Sequence, residues 1–317
     1  MIFAGVCRGE TYVFDEAVSV SINQEIFVPA DDMTVVFPYS ESFPKLEMIY
    51  ALEDGCGDVD EAIESGDVLF KGIVDEQVFK ADSGGADITV YARSMAAVLL
   101  DNECEPIQYT SPSVDVIYSK HIEPFGVELK DTKVKCRSGM LRITKGSSHY
   151  RALEKFCSEF LNTVPRIDSR GICRVDVYEC DDVIYFDNRD GIGFGFISVS
   201  DKRYSRISKV HVSIENGYDT TVSDSESISR GIIRERYMSL LDSKTGTLSD
   251  AYDVIESGAA DSFSVSLKCG ERLINMIGAK AYVSAEGCEG EEFVVSRIKY
   301  ISDGNGERTS VLLRLRG

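Results

Sequence analysis

Residues 66–106 read GDVLFKGIVDEQVFKADSGGADITVYARSMAAVLLDNECEP, and three local signals follow one another in them without conflict. Val68 to Phe79 is rich in β-branched and aromatic residues, Asp82-Ser83-Gly84-Gly85 carries turn chemistry, and Ile88 to Ala92 alternates apolar with other residues at period two. That combination predicts a β-hairpin. The period then changes: Ser94 is a good N-cap, and Met95, Ala96, Ala97, Leu99 and Leu100 are helix formers with apolar side chains three and four apart. A short helix therefore leaves the hairpin and caps it, ending at Asp101-Asn102-Glu103 with Pro106 beyond. Leu99 and Leu100 are expected to dock this helix, and the flanking Arg93 and Asp101 to pair across it or with the sheet.

Upstream, residues 1–52 read as short strands at Ile2–Val6, Thr11–Phe14, Val18–Asn23, Met33–Pro38 and Lys45–Leu52, punctuated by Pro29, Pro38 and Pro44. With the hairpin they predict an antiparallel sheet closed into a barrel, which removes exposed edges. Downstream, Ser111-Pro112 predicts a helix start, with Val114, Ile117, Tyr118 and His121-Ile122 at helical spacing to Pro124-Phe125-Gly126. A second helix starts near Ser148 and aligns Tyr150, Leu153, Phe156, Cys157, Phe160 and Leu161 on one face. Short strands follow at Arg166–Ile167, Ile172–Val177 and Val183–Phe186, so residues 106–203 read as an inserted α+β domain.

From about 204 the β signals return. Ile207–Ile214 is a strand ending at the turn pair Asn216-Gly217, and Ser239–Ala251 reads as loop with one helical turn. Phe263–Leu267, Ala279–Val283, Phe293–Ile301 and Thr309–Leu315 give four more strands. A shift of 221 residues lays Asp82-Ser83-Gly84-Gly85 on Asp303-Gly304-Asn305-Gly306, Val90 on Val311 and Arg93 on Arg314. Ile73-Val74 falls on Val294-Val295, and Thr89, Tyr91 and Ala92 fall on Ser310, Leu312 and Leu313 with the same face. Either two ordinary hairpins resemble each other or one domain occurs twice. The fold expectation is mainly β (α+β): two antiparallel β-barrel domains, 1–105 and 204–317, with the α+β domain 106–203 between them.

Composition sets the functional limits. The 317 residues have 43% hydrophobic and 27% charged content, as globular proteins do. No stretch approaches eighteen apolar residues, and MIFAGVCRGETYVFDE lacks a basic start followed by an apolar run, so neither a membrane span nor a signal peptide is expected. Nine widely spaced cysteines, with no Cys-x-x-Cys and no histidine at zinc spacing, read as reduced thiols in small apolar sites. The net charge is −19, and residues 1–80 carry four basic and 17 acidic side chains, a net of −13. Such a surface repels nucleic-acid phosphates and anionic lipid. Seven acids between Glu53 and Asp67 without a lysine or arginine read as a solvated loop, since no EF-hand spacing accompanies them.

No catalytic constellation emerges. His121, His149 and His211 lie in separate segments; His149 and Cys157 are eight apart on one helix, about two turns and too far for a Cys–His hydrogen bond. Asp187-Asn188-Arg189-Asp190-Gly191 hints at a calcium loop, but Arg189 stands where a ligand is required, and a turn is expected. Gly191, Gly193 and Gly195 alternate with apolar residues in a strand or loop and form no phosphate cradle. The expectation is no catalytic, cofactor-binding or metal-ligating residue, and no cofactor.

The segments Lys71–Glu76, Ala92–Ala97 and Leu99–Glu103, together with Pro112–Gly126, resemble the baseplate hub proteins of contractile phage tails and related phage-like particles, the tail hub or late control protein D-like family. The resemblance is specific over roughly 66–126 and covers general layout elsewhere. It implies a non-enzymatic homotrimer whose two barrels resemble tail-tube subunits, closing a pseudo-sixfold ring that joins the hexameric tail tube to the trimeric spike. Implied partners are the tail tube protein, the spike protein and the baseplate and tape-measure proteins, with no specific nucleic-acid binding and no membrane insertion. The implied location is the bacterial cytoplasm during assembly, then the baseplate of a phage or R-type-bacteriocin-like particle. The competing readings are a tail-associated peptidoglycan hydrolase, which requires a cleft with perturbed carboxylates, and a glycan-binding β protein, against which the absence of tryptophan speaks.

Overall fold

The computed structural model describes residues 1–130, 134–176, 180, 182–214, 217–243 and 246–316. The chain divides into two units. One comprises Met1–Glu179, Gly270–Ile277 and Arg297–Thr309; the other comprises Cys180–Cys269, Gly278–Ser296 and Ser310–Gly317.

In the first unit the predicted strands form β1 (Ile2–Cys7), β2 (Glu10–Phe14), β3 (Ser19–Glu25), β4 (Asp32–Pro38) and β5 (Met48–Leu52). The run of acids does not stay a loop. Val59–Ser65 is helix α1, because the Asp58 carboxylate accepts hydrogen bonds from the amides of Asp60 and Glu61, and Asp60 and Glu61 suit the positive end of the helix. The hairpin follows as β6 (Phe70–Asp82) and β7 (Gly85–Ser94), then α2 (Ala96–Asp101). Ser94 does not cap α2. It ends β7, and its hydroxyl accepts from the Asp31 amide instead.

These strands pair antiparallel in the order β3, β4, β7, β6, β5, β1, β2, with residues Arg297–Ser302 of a later strand on the other side of β3. Alternate residues point inward, so Val20, Ile22, Met33, Val35, Phe37, Ile49, Phe70 and Val90 form one core. β2 and β3 stand far apart in this order yet are joined only by residues 15–18, a reach of roughly 17 Å. The sheet must therefore curl strongly. It does not close: among the described residues β2 pairs with β1 alone, and the expected barrel is an open curled sheet.

Beyond α2 the chain builds β8 (Ile107–Thr110), α3 (Val114–His121), β9 (Glu128–Leu129), β10 (Met140–Ile143), α4 (His149–Phe156), β11 (Arg166–Ile167) and β12 (Ile172–Arg174). The cap of α3 is Ser113, which accepts from the Val116 amide; Ser111 accepts from the Gly139 amide. Ser148 caps α4 as expected, and the helix widens into a π-turn over Cys157–Leu161. Ile117, Leu153, Phe156, Cys157 and Phe160 share a core with Met95, Ala96 and Leu99 of the hairpin region.

The second unit contains β13 (Val183–Phe186), β14 (Phe194–Asp201), β15 (Lys209–Ser213), β16 (Thr220–Ser223), α5 (Ser225–Ser229), β17 (Glu235–Ser239), α6 (Ser249–Ala260), β18 (Phe263–Cys269) and β19 (Lys280–Val283). The last hairpin, β20 (Phe293–Asp303) and β21 (Gly306–Leu315), contributes its base here. The larger sheet runs β14, β18, β21, β20, β19, β13 and is also open. Its β13–β19 pair is parallel. A smaller sheet, β16-β15-β17, packs Val210, Val212 and Val222 on Ala251 and Ile255 of α6. Within the loop expected over 239–251 the one helical turn is a 3-10 turn at Leu240–Asp242, and α6 begins only at Ser249 and runs on past the expected loop to Ala260. The expected turn residue Asn216 and the strand end Val177 lie outside the described residues.

Candidate functional site

A buried polar cluster lies in the first unit, where the β3–β4 connection meets residues 166–169 and 275. Asp31 and Arg166 are each almost fully buried, and Arg166 donates to both Asp31 carboxylate oxygens at 2.8 and 2.9 Å and to the Glu25 carbonyl at 2.6 Å. Gln24 donates to Ser169 Oγ at 2.7 Å and to Asn275 Oδ1 at 3.0 Å, and accepts from the Asn275 amide at 2.7 Å. Asn275 holds a left-handed backbone with φ +69, and its side-chain amide donates to the Leu69 carbonyl. Burial pushes the Asp31 carboxyl up to about 6, against the pull of the Arg166 charge. With its hydrogen bonds made in the interior, this cluster can fasten segments 24–31, 166–169 and 275 together and offers little to a substrate.

Around the organising hairpin, Arg93 donates to Asp75 at 2.6 and 2.9 Å and to Asp101 at 2.6 and 3.3 Å, so this β7 arginine, which flanks the helix, ties both β6 and the end of α2. These side-chain hydrogen bonds, Asp75 first, hold the guanidinium even more firmly protonated than usual. Leu99 is wholly buried and Leu100 partly so.

The two hairpins matched by the shift of 221 residues share their turn. The Gly84 amide donates to Asp82 Oδ1 at 2.7 Å, and the Asn305 amide donates to Asp303 Oδ1 at 2.8 Å. Gly85 and Gly306 both take positive φ. Val90 and Val311 are buried, as are Ala92 and Leu313. Arg314, the counterpart of Arg93, pairs with Asp261 at 2.8 Å.

The residues weighed for chemistry are placed as follows. His121 and His149, 28 residues apart, meet with ring nitrogens at 3.2 Å, and His121 Nε2 bonds Tyr109 Oη at 2.9 Å. Sequence spacing carries no signal of that meeting. Burial first, then the neighbouring imidazole, drops His121 to about 4, so it is neutral at pH 7. Cys157 is buried and burial pushes its thiol far up; Cys173 is pushed to about 12 for the same reason, and a protonated thiol is a poor nucleophile. His211 bonds Glu235 Oε2 at 2.8 Å and Thr221 Oγ1 at 3.0 Å and stacks on Tyr237. Asp187 accepts from the Arg189 amide at 2.7 Å, closing a turn, and Asn188 accepts from the Phe194 amide. Among the described residues no three His, Cys, Asp or Glu side chains gather as metal ligands, and no helix is long and apolar enough to cross a membrane.

No family model and no curated protein matches the chain. Solved structures do. A tail protein from Neisseria meningitidis MC58 superposes with a TM-score of 0.74 at 14% identity, covering 99% of this chain and 96% of its own. The 43 kDa tail protein of prophage MuSo2 from Shewanella oneidensis gives 0.76 at 16% identity, over 99% and 98% of the two chains. This chain has a phage tail protein fold. An Escherichia coli component of the type VI secretion system shares it at a TM-score of 0.57 and 9% identity, over 95% of this chain and 74% of that one.

Proposed function

We propose that the chain is a non-enzymatic hub of a contractile tail: a homotrimer forming a pseudo-sixfold ring between the hexameric tail tube and the trimeric spike, in the baseplate of a phage or bacteriocin-like particle. The observation that carries this reading is the end-to-end likeness to two tail proteins, in which nearly the whole of both chains is matched. The shared turn geometry of the β6–β7 and β20–β21 hairpins supports two related structural repeats per chain, so that three chains present six similar elements. The segments 1–105, 106–203 and 204–317 are the proposed repeat, insertion and repeat. Assembly takes place in the bacterial cytoplasm, and the neighbours are tube, spike, baseplate and tape-measure proteins.

The acidity has a use in this position. A channel wall rich in Asp and Glu lets a polyanion or a translocating protein pass without sticking. Quantitative mass spectrometry of purified particles tests the assignment: about three copies per particle are expected for a threefold hub. A copy number like that of the tube protein, or absence from the particle, would overturn it.

A further inference from the structure

The open seam of the first unit's sheet forms a groove. It lies where β2 runs out and residues 15–18 cross to β3, and it consists of two adjoining cavities of about 480 and 460 Å³ that share Asp15, Glu16 and Pro38. Its floor is aromatic: Phe14 stacks on Phe43 at 4.9 Å and meets Phe37 at 4.8 Å. Tyr39 stands at the rim, 44% exposed. Among the described residues no lysine or arginine lines either cavity; Met1 does, its terminal ammonium held by Asp54, and the acids are Asp15, Glu16 and Glu307. Arg272 holds Glu307, whereas Asp15 and Glu16 are exposed and enter no ion pair among the described residues. β2 beside it is an edge strand with neither lysine nor proline to guard it.

Unneutralised carboxylates beside ring faces favour one kind of occupant. An arginine or lysine head can lie between the carboxylates while its aliphatic stem and apolar neighbours cover the rings. We propose that this groove docks a segment of a different protein carrying arginine or lysine flanked by aliphatic residues. The inference holds whether or not the chain is a hub, because it rests on the groove alone.

The test uses the full chain and a probe peptide, acetyl-Gly-Arg-Val-Arg-Val-Gly-amide, titrated by calorimetry, with a control peptide bearing glutamate for arginine. The expected result is one site per chain, weakened by salt, and weakened about tenfold by D15N/E16Q. E286Q/E289Q serves as the second variant; it neutralises an acidic cavity of about 520 Å³ lined by one aromatic ring, Tyr282, in place of the Phe14, Phe37 and Phe43 cluster, and should leave binding unchanged. Amide shifts on titration should concentrate in residues 12–16 and 37–44. Equal loss in both variants, binding of the glutamate peptide, or shifts spread over the acidic surface would overturn the proposal. Self-association of the chain abolished by D15N/E16Q would assign the groove to a second copy and overturn it as well.

Discussion

Asp31 and Arg166 face each other out of reach of water, 135 residues apart in the chain. Removing one charge leaves the other buried and uncompensated, so Asp31→Ala is expected to cost about 3–5 kcal/mol in a denaturant melt. Asp31→Leu with Arg166→Met should recover most of it. A single variant within half a kcal/mol of the parent would contradict the burial. Leu99→Ala removes a wholly buried side chain and should cost about 2–5 kcal/mol. His121 supplies a pH test. Its ordinary value of 6.5 falls to about 4 in the folded chain, so the folded state favours the neutral ring. The associated stability is present above pH 6.5 and is lost as pH falls through about 4. His121→Gln should lose less stability between pH 7 and pH 4.5 than the parent; identical slopes would contradict the assignment. Neither Asp31–Arg166 nor His121–His149 was legible, since contacts over such separations leave no mark in a single sequence.

At the scale of elements, the strands of residues 1–105 were legible because one face of each is buried and alternation survives in the residues. The same pattern misplaced the start of α2: Ser94 looks like a cap, but β7 runs two residues beyond the Ile88–Ala92 alternation and ends on Ser94 itself. Helices α1 and α6 escaped for another reason. α1 is mostly acidic or small and exposes most of its surface, and α6, SDAYDVIESGAA, of which only Ser249–Ala251 fell in the expected loop, carries serine, glycine and aspartate that weaken a helical signal. Closure of the barrels was overestimated because a pairing count along the sequence does not reveal whether the last strand reaches the first. The matched turns make an element-scale prediction. Gly85→Ala and Gly306→Ala place a Cβ at φ +143 and +94 respectively, and each should cost about 1 kcal/mol or more by thermal melting, through strain rather than lost packing. Neutral substitutions would contradict the shared turn.

For the whole molecule, the fold is shared with tail proteins at identities of 14 and 16%, a range in which burial patterns persist while side chains turn over. In residues 66–126 hairpin, Arg93 and capping helix constrain one another, through the Arg93 bonds to Asp75 and Asp101. The hub reading was suggested by that stretch and by the repeat; no residue in the chain identifies the neighbours above and below. The acidic channel is likewise a whole-molecule claim. Replacing several acids between Glu10 and Glu76 by neutral residues should slow passage through assembled particles without changing the fold; unchanged passage would remove the role. The most direct measurement is threefold-averaged cryo-electron microscopy of the baseplate carrying this chain. The account predicts three copies in one ring at the junction of tube and spike, with the β6–β7 and β20–β21 hairpins at alternating, approximately sixfold-related positions. Density for the chain elsewhere in the particle, or hairpins in unrelated environments, would contradict it.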